Sequence, residues 1–352
     1  MDIILICLAL LFISSMRLNL TGPEPGYLNR DTTATINGLF LLLVMFSHFS
    51  TYLPASHLTP LSSLWMSTKG ELIVTTFLFF SGFGIMEQLQ KRGSAYINTF
   101  PVKRILFVWA KFFFAVTLFI ILAVMLHTHY SGQRILLAYF GLTTIGNSGW
   151  YIFAILLLYC LTYFAFKLSA NSHRKALIYL LTGLFIYIII ANFTLPSWYH
   201  ETILSYFAGT VFSLHQTKWL PQITKNWRNY LIMGLTTLAV FCGSYLLCAF
   251  SQGLIHYLYY QIAAISFPFL FVLLAMKVRF KNRFLKYVGG SAMFSLYILQ
   301  RIPMILIQNK AIMKIPWLAF LLVLLATLVL GWLFDHLIDR LLRRLTHKSA
   351  VN

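Results

Sequence analysis

The sequence predicts an all-α fold, a polytopic bundle of about eleven transmembrane helices, with ten and twelve as the bounds. Three observations carry this expectation. The 352-residue chain is 59% hydrophobic and only 10% charged, far below the quarter of charged residues usual in soluble domains. Its apolar stretches repeatedly approach the ~20 residues that a helix needs to cross a bilayer. Its basic residues alternate by side: 21 of the 27 Lys and Arg fall in one set of loops, four (Lys69, Arg134, Lys310, Lys314) in the other, and Lys111 and Arg301 within spans. That bias makes the first side cytoplasmic, with the N-terminus outside and the C-terminus inside. The net charge of +19 is thereby a matter of topology, and nucleic acid is not expected as a partner.

In chain order, the first apolar segment is 3–20. Asp2 stands where a signal peptide would carry positive charge, so an uncleaved helix is expected. Residues 20–35, with Gly22, Pro23, Pro25 and Gly26, read as a hinge. Segments 36–53 and 71–90 follow, separated by an outward loop with Pro54 and Pro60. Segment 104–126 leads into a glycine-containing loop, 127–148, whose stretch 135–145 reads as re-entrant or interfacial. The remaining spans are 149–168, 176–192, the short 200–214, 230–250, 255–276, 291–309 and 317–337. Residues 1–30 are thus an accessory transmembrane helix and hinge, 31–345 the working unit, and 346–352 a cytoplasmic tail. No internal repeat is evident, which argues against a transporter built from repeated halves.

The candidate chemistry starts with His48, inside the apolar run Ile36–Phe49. A titratable ring at membrane depth is costly and marks a site by default. Asn37 precedes it by eleven positions, which returns to within about 20° of the same helix face at a rise of roughly 16 Å. The two would line one cavity. A neutral imidazole there suits a general base; a covalent acyl-histidine relay is the alternative. Arg301, midway along its span, would hold a phosphate, polarise a carbonyl or lock helices together. Lys111 lies near the inner end of its span, where it can snorkel.

Glu71 and Glu201 sit at outer helix ends, as orienting groups for His48 or an acceptor, or as caps. Trp150, Tyr151, Trp198 and Tyr199 fall at the outer interface, where they would stack on a sugar or form an aromatic belt. Ser81-Gly82 reads as a close helix contact. His127-Thr128-His129 lacks helical spacing and a third ligand, so no metal site is expected. Cys7, Cys160, Cys242 and Cys248 all fall within spans and read as small packing residues.

The motif order resembles that of the integral-membrane acyltransferase-3 family, acyl-CoA-dependent O-acyltransferases of surface polysaccharides. His48 matches the histidine of the first core helix. LFFSGFGI (Leu78 to Ile85), FPVKRILFVW with Lys103 and Arg104, and the run from Trp150 to Lys167 follow in family order. SWYHETILSYFAG (Ser197 to Gly209) and SLYILQ (Ser295 to Gln300) are similar to later signatures. Two positions depart: Asn37 stands where the pattern has a basic residue, and Phe107 where it has an arginine.

The resemblance implies an acyltransferase, most simply an O-acetyltransferase, in the plasma (inner) membrane of a bacterium. Acetyl-CoA or another acyl-CoA would be the donor substrate, with no permanently bound cofactor. Asn37, Lys103, Arg104 and Arg301 would hold the donor and His48 would be catalytic. Glu71, Trp150, Tyr151, Trp198 and Glu201 would face the acceptor, a hydroxyl of a cell-surface glycan or its lipid-linked precursor. The competing expectations are a membrane glycosyltransferase or polysaccharide polymerase, and a transporter or flippase.

Overall fold

The computed structural model describes residues 1–19, 24, 26–170 and 172–348. The expected hinge residues Gly22, Pro23 and Pro25 and the end of the tail, 349–352, lie outside the described residues. Every segment expected to be a span contains a helix, and among the described residues eight helices are long and apolar enough to cross a membrane. All-helical spans are what a lipid solvent demands, because each backbone N–H and C=O must be satisfied within its own segment.

Helix α1 (Asp2–Ser14) is short, at 13 residues. The Asp2 carboxylate accepts from the backbone N–H of Ser62 at 2.8 Å and of Leu61 at 3.3 Å. It thereby serves the N-terminus of α3 (Pro60–Thr68), where negative charge is favourable. The other end of α1 runs into strand β1 (Met16–Leu18), which pairs antiparallel with β2 (Val278–Phe280) in the register Met16 to Phe280. This small ribbon is the one sheet among the described residues of an otherwise helical fold. It forms where two segments of the chain leave their helices with unpaired backbone groups.

Helix α2 (Arg30–Ser50) begins inside the expected hinge, because the Asn29 side chain accepts from Thr32 N at 2.9 Å and caps it. It is the central helix: 83% of its apolar window is buried, against 17% for α11 (Trp227–Ala249). Helix α4 (Thr75–Arg92) returns antiparallel. Next come α5 (Ser94–Phe100), a π-helical turn over Pro101–Leu106, and α6 (Phe107–Met125) as one continuous rod. Such π turns arise as local insertions in helices, and this one carries Lys103 and Arg104.

The rest of the bundle is α7 (Gly132–Ala138), α8 (Trp150–Leu168), α9 (His173–Thr194), α10 (Leu204–Ile223), α11, α12 (Gly253–Lys277), α13 (Arg283–Val288), α14 (Met293–Leu299), α15 (Arg301–Ile307) and α16 (Pro316–Lys348). Helix α10, expected over 200–214, runs further and is not among the eight apolar spans. The tenth expected span is divided at Gln300 into α14 and α15.

Two glycine contacts set the packing. A Cβ on Gly209 would lie 2.0 Å from the Phe79 carbonyl oxygen, and one on Gly82 would lie 2.1 Å from that of Tyr206. The backbones of α4 and α10 therefore touch, as small residues permit in membranes. Helices α2 and α13 meet in the same way, Gly38 facing the Leu285 carbonyl and Gly289 that of Ala34.

The two ends of the bundle are separately tied. At the basic end, Lys286 pairs with Asp31 at 2.6 Å, Tyr27 donates to Gln216, and Gln90 donates to Ser213. At the opposite end Tyr260 donates to Glu71, Tyr199 to the Gly141 carbonyl, and Arg301 to Ser148.

Candidate active site

A cavity of about 500 Å³ enters the bundle from the basic end between α2, α4, α6, α8, α14 and α16. Its mouth carries Lys103, Arg104, Lys111 and Asp339, and its walls are Asn37, Phe77, Phe80, Ser81 and Ile155. Arg104 donates to the Tyr96 hydroxyl at 3.1 Å, which holds the guanidinium at the mouth. The Ser81 hydroxyl is hydrogen-bonded to the buried Tyr159 hydroxyl at 3.0 Å. The cavity reaches Tyr151 and Tyr297, whose ring centroids lie 5.3 Å apart.

His48 stands beyond that aromatic pair. Its ring centroid is 6.5 Å from that of Tyr297, and His48 is not one of the residues lining the cavity. Asn37 lines the cavity and His48 does not, which corrects the expectation that both line one cavity; the imidazole meets it only through Tyr297. The ring is half-buried. Its Nδ1 is buried without a hydrogen-bond partner among the described residues, as are the side-chain oxygens of Asn37 and Gln300. Gln300 is fixed through its amide, which donates to the Tyr297 carbonyl at 3.0 Å.

Arg301 and Lys69 lie at the opposite end from the basic mouth, where their charges act on the imidazole. The Trp65 indole donates to Ser47 at 3.0 Å and lays the end of α3 beside His48, with Lys69 one turn further on. Burial holds the Lys69 ammonium below its usual range, against the opposing pull of the Glu71 carboxylate. Arg301 donates to Ser148 at 2.9 Å and faces the Tyr52 ring with 6.0 Å from Cζ to the centroid.

The structure sorts the residues singled out from the sequence into three groups. Asn37, Lys103, Arg104 and Tyr151 share the cavity. Arg301 does not: it donates to Ser148 and faces Tyr52, apart from Lys103 and Arg104 at the mouth. Glu71 and Glu201 are half-buried at the opposite end. Glu71 stands at the N-cap of the helical turn Leu72–Val74, where it accepts from Tyr260 and makes no side-chain capping bond.

The aromatic belt also needs correction. Tyr151 is 8% exposed and Tyr199 5%, both inside the bundle, whereas Trp198 is exposed and Trp150 half-buried. Period and position placed Tyr151 at an interface because its helix starts there; packing turns its ring inwards against Phe77 and Tyr297.

Sequence reading missed Tyr297, Tyr159, Gln300 and the acidic partners of Lys111. The Lys111 ammonium lies 2.8 Å from Asp335 and 2.7 Å from Asp339, so it is ion-paired at the basic end of the bundle. Asp335 and Asp339, four apart at the polar end of an otherwise apolar helix, were the available signal.

Chemically, the site offers a basic mouth, a mostly apolar passage, and an imidazole between two cations at the far end. An extended anionic molecule with a narrow arm fits the first two, and proton transfer suits the third. No curated protein and no solved structure matches the chain. The family model described as Acyltransferase domain matches residues 36–336, which span the mouth, the passage and His48, and the chain belongs to this acyltransferase-3 family of acyltransferases.

Proposed function

We propose that this protein moves an acyl group, most simply acetyl, from cytoplasmic acyl-CoA to a hydroxyl of a cell-surface glycan or its lipid-linked precursor, with His48 as general base. The basic ends of the helices face the cytoplasm of a bacterial cell and the chain sits in its plasma membrane, N-terminus outside, C-terminus inside. The observation that carries this reading is the cavity that opens between Lys103 and Arg104 and closes on Tyr297, whose other side meets His48.

The cations at the mouth attract the donor's phosphates, and the arm extends along Asn37 until the thioester meets the Tyr151–Tyr297 pair. The acceptor hydroxyl approaches from the outer end, past Glu71, Glu201 and Trp198. Neutral His48 accepts the hydroxyl proton as its oxygen attacks the thioester carbonyl; the carbon–sulfur bond breaks, and the thiolate leaves with the coenzyme, to be protonated. Arg301 and Lys69 favour the oxyanion that forms on the way.

Mass spectrometry of the surface glycan tests the reading. Cells with the chain should carry one more acyl group per repeat than cells lacking it, and His48→Ala should match the latter at normal protein abundance. Full acylation in the His48→Ala strain removes the imidazole from the mechanism.

A further inference from the structure

A second cavity of about 370 Å³ adjoins the first at the basic end, lined by Tyr287, Ser291, Trp332, Asp335, His336 and Arg340 among others. The two share Asp339, and Gly290 of the first is followed in the chain by Ser291 of the second. Their partition is the Lys111 ammonium, held between Asp335 and Asp339. Trp332, His336 and Arg340 recur every fourth residue and so occupy one stripe of α16. The Trp332 and His336 rings are stacked at 5.5 Å with planes 16° apart. Trp332 is 56% exposed and Tyr287 39%, so the Trp332 face away from His336 and the Tyr287 ring are open.

The inner passage to Tyr297 is lined mostly by apolar and aromatic side chains, a costly place for a charged nucleotide. That part must lodge at the mouth. On one flank of the mouth are Lys103 and Arg104; on the other is this second cavity. It combines what an adenosine phosphate needs: open aromatic faces for a base, a guanidinium for a phosphate, and a carboxylate that can accept from an exocyclic amine.

We propose that the second cavity is the nucleotide subsite of the donor: adenine stacks on Trp332 and Tyr287 and donates to Asp339, Arg340 takes the ribose 3′-phosphate, and the pyrophosphate lies towards Lys103 and Arg104. This rests on acyl-CoA being the donor. It assigns a ligand to a stripe of α16 that would otherwise be an interfacial belt.

The test uses the purified full chain in detergent, titrated with coenzyme A, dephospho-coenzyme A and pantetheine by calorimetry. Base stacking on an aromatic ring makes Trp332→Ala weaken coenzyme A binding by about tenfold or more and leaves pantetheine binding unchanged. Arg340→Gln weakens coenzyme A to the level of dephospho-coenzyme A, while Trp332→Ala preserves the gap between them. Both side chains are exposed, and unliganded melting curves confirm that the variants fold. If the parent binds coenzyme A and both variants bind it equally well, the subsite is wrong and the donor stands. If the parent binds no coenzyme A, subsite and donor fall together.

Discussion

Lys111→Met removes the ammonium and keeps most of the stem, leaving Asp335 and Asp339 without their shared cation. Side-chain exposures are 18% for Lys111, 22% for Asp335 and 41% for Asp339. Breaking a fully buried pair costs about 3–5 kcal/mol, because the abandoned charge stays desolvated. Partial exposure here reduces that to roughly 2 kcal/mol. With an unfolding entropy near 2.1 cal/mol/K per residue, a chain of this length should melt about 3 °C lower. The assay is thermal unfolding in detergent, run as a mutant cycle with Asp335→Asn and Asp339→Asn. Both carboxylates bind one ammonium, so either Asn substitution alone should cost less than Lys111→Met. Combining all three should recover at least half of the loss, since no orphaned charge remains. An unchanged melting temperature in Lys111→Met, or no recovery in the triple variant, would refute the reasoning.

Three other outcomes are expected. Gly209→Ala places a methyl 2.0 Å from the Phe79 carbonyl oxygen, so α4 and α10 must separate; overpacking of this kind costs about 1–3 kcal/mol, visible as a lower melting temperature, whereas Gly234→Ala, open to its surroundings, should melt like the parent. Tyr297→Ala opens the aromatic partition, so acyl-CoA hydrolysis without acceptor should rise, measured as free thiol released; an unchanged rate would show that Tyr297 does not separate the passage from water at His48. Glu24 is buried, which pushes its carboxyl up, but hydrogen bonds from Arg279 and Asn19 hold it below the usual glutamate value. A depressed folded-state value adds stability above the ordinary glutamate range and loses it as the pH falls through the folded value; Arg279→Gln should flatten this acid limb of the melting curve, and an identical limb would count against it.

Much of the fold was legible along the chain because partition into hydrocarbon depends on local composition. The span expected at 36–53 and its neighbour at 71–90 are α2 and α4, with boundaries moved by local caps such as Asn29, whose bond to Thr32 starts α2 early. Gly82 read correctly as a close contact, since a glycine beside a serine in an apolar run has few other uses. His48 was conspicuous because its cost is local. Tyr151 was misjudged because burial is not a local property.

By itself the sequence determined that the chain is a helical membrane protein, which side of each helix end is basic, and which polar residues are too costly to be idle. Tertiary structure alone decided which of those residues meet. Lys111 finds Asp335 across 224 positions, Arg301 finds Ser148 across 153, and Tyr297 comes between the cavity and His48. The physical reason is that crossing the bilayer is settled segment by segment by the transfer of side chains from water. Lateral neighbours are settled by backbone contact at glycines and by pairing of buried polar groups, to which composition is blind.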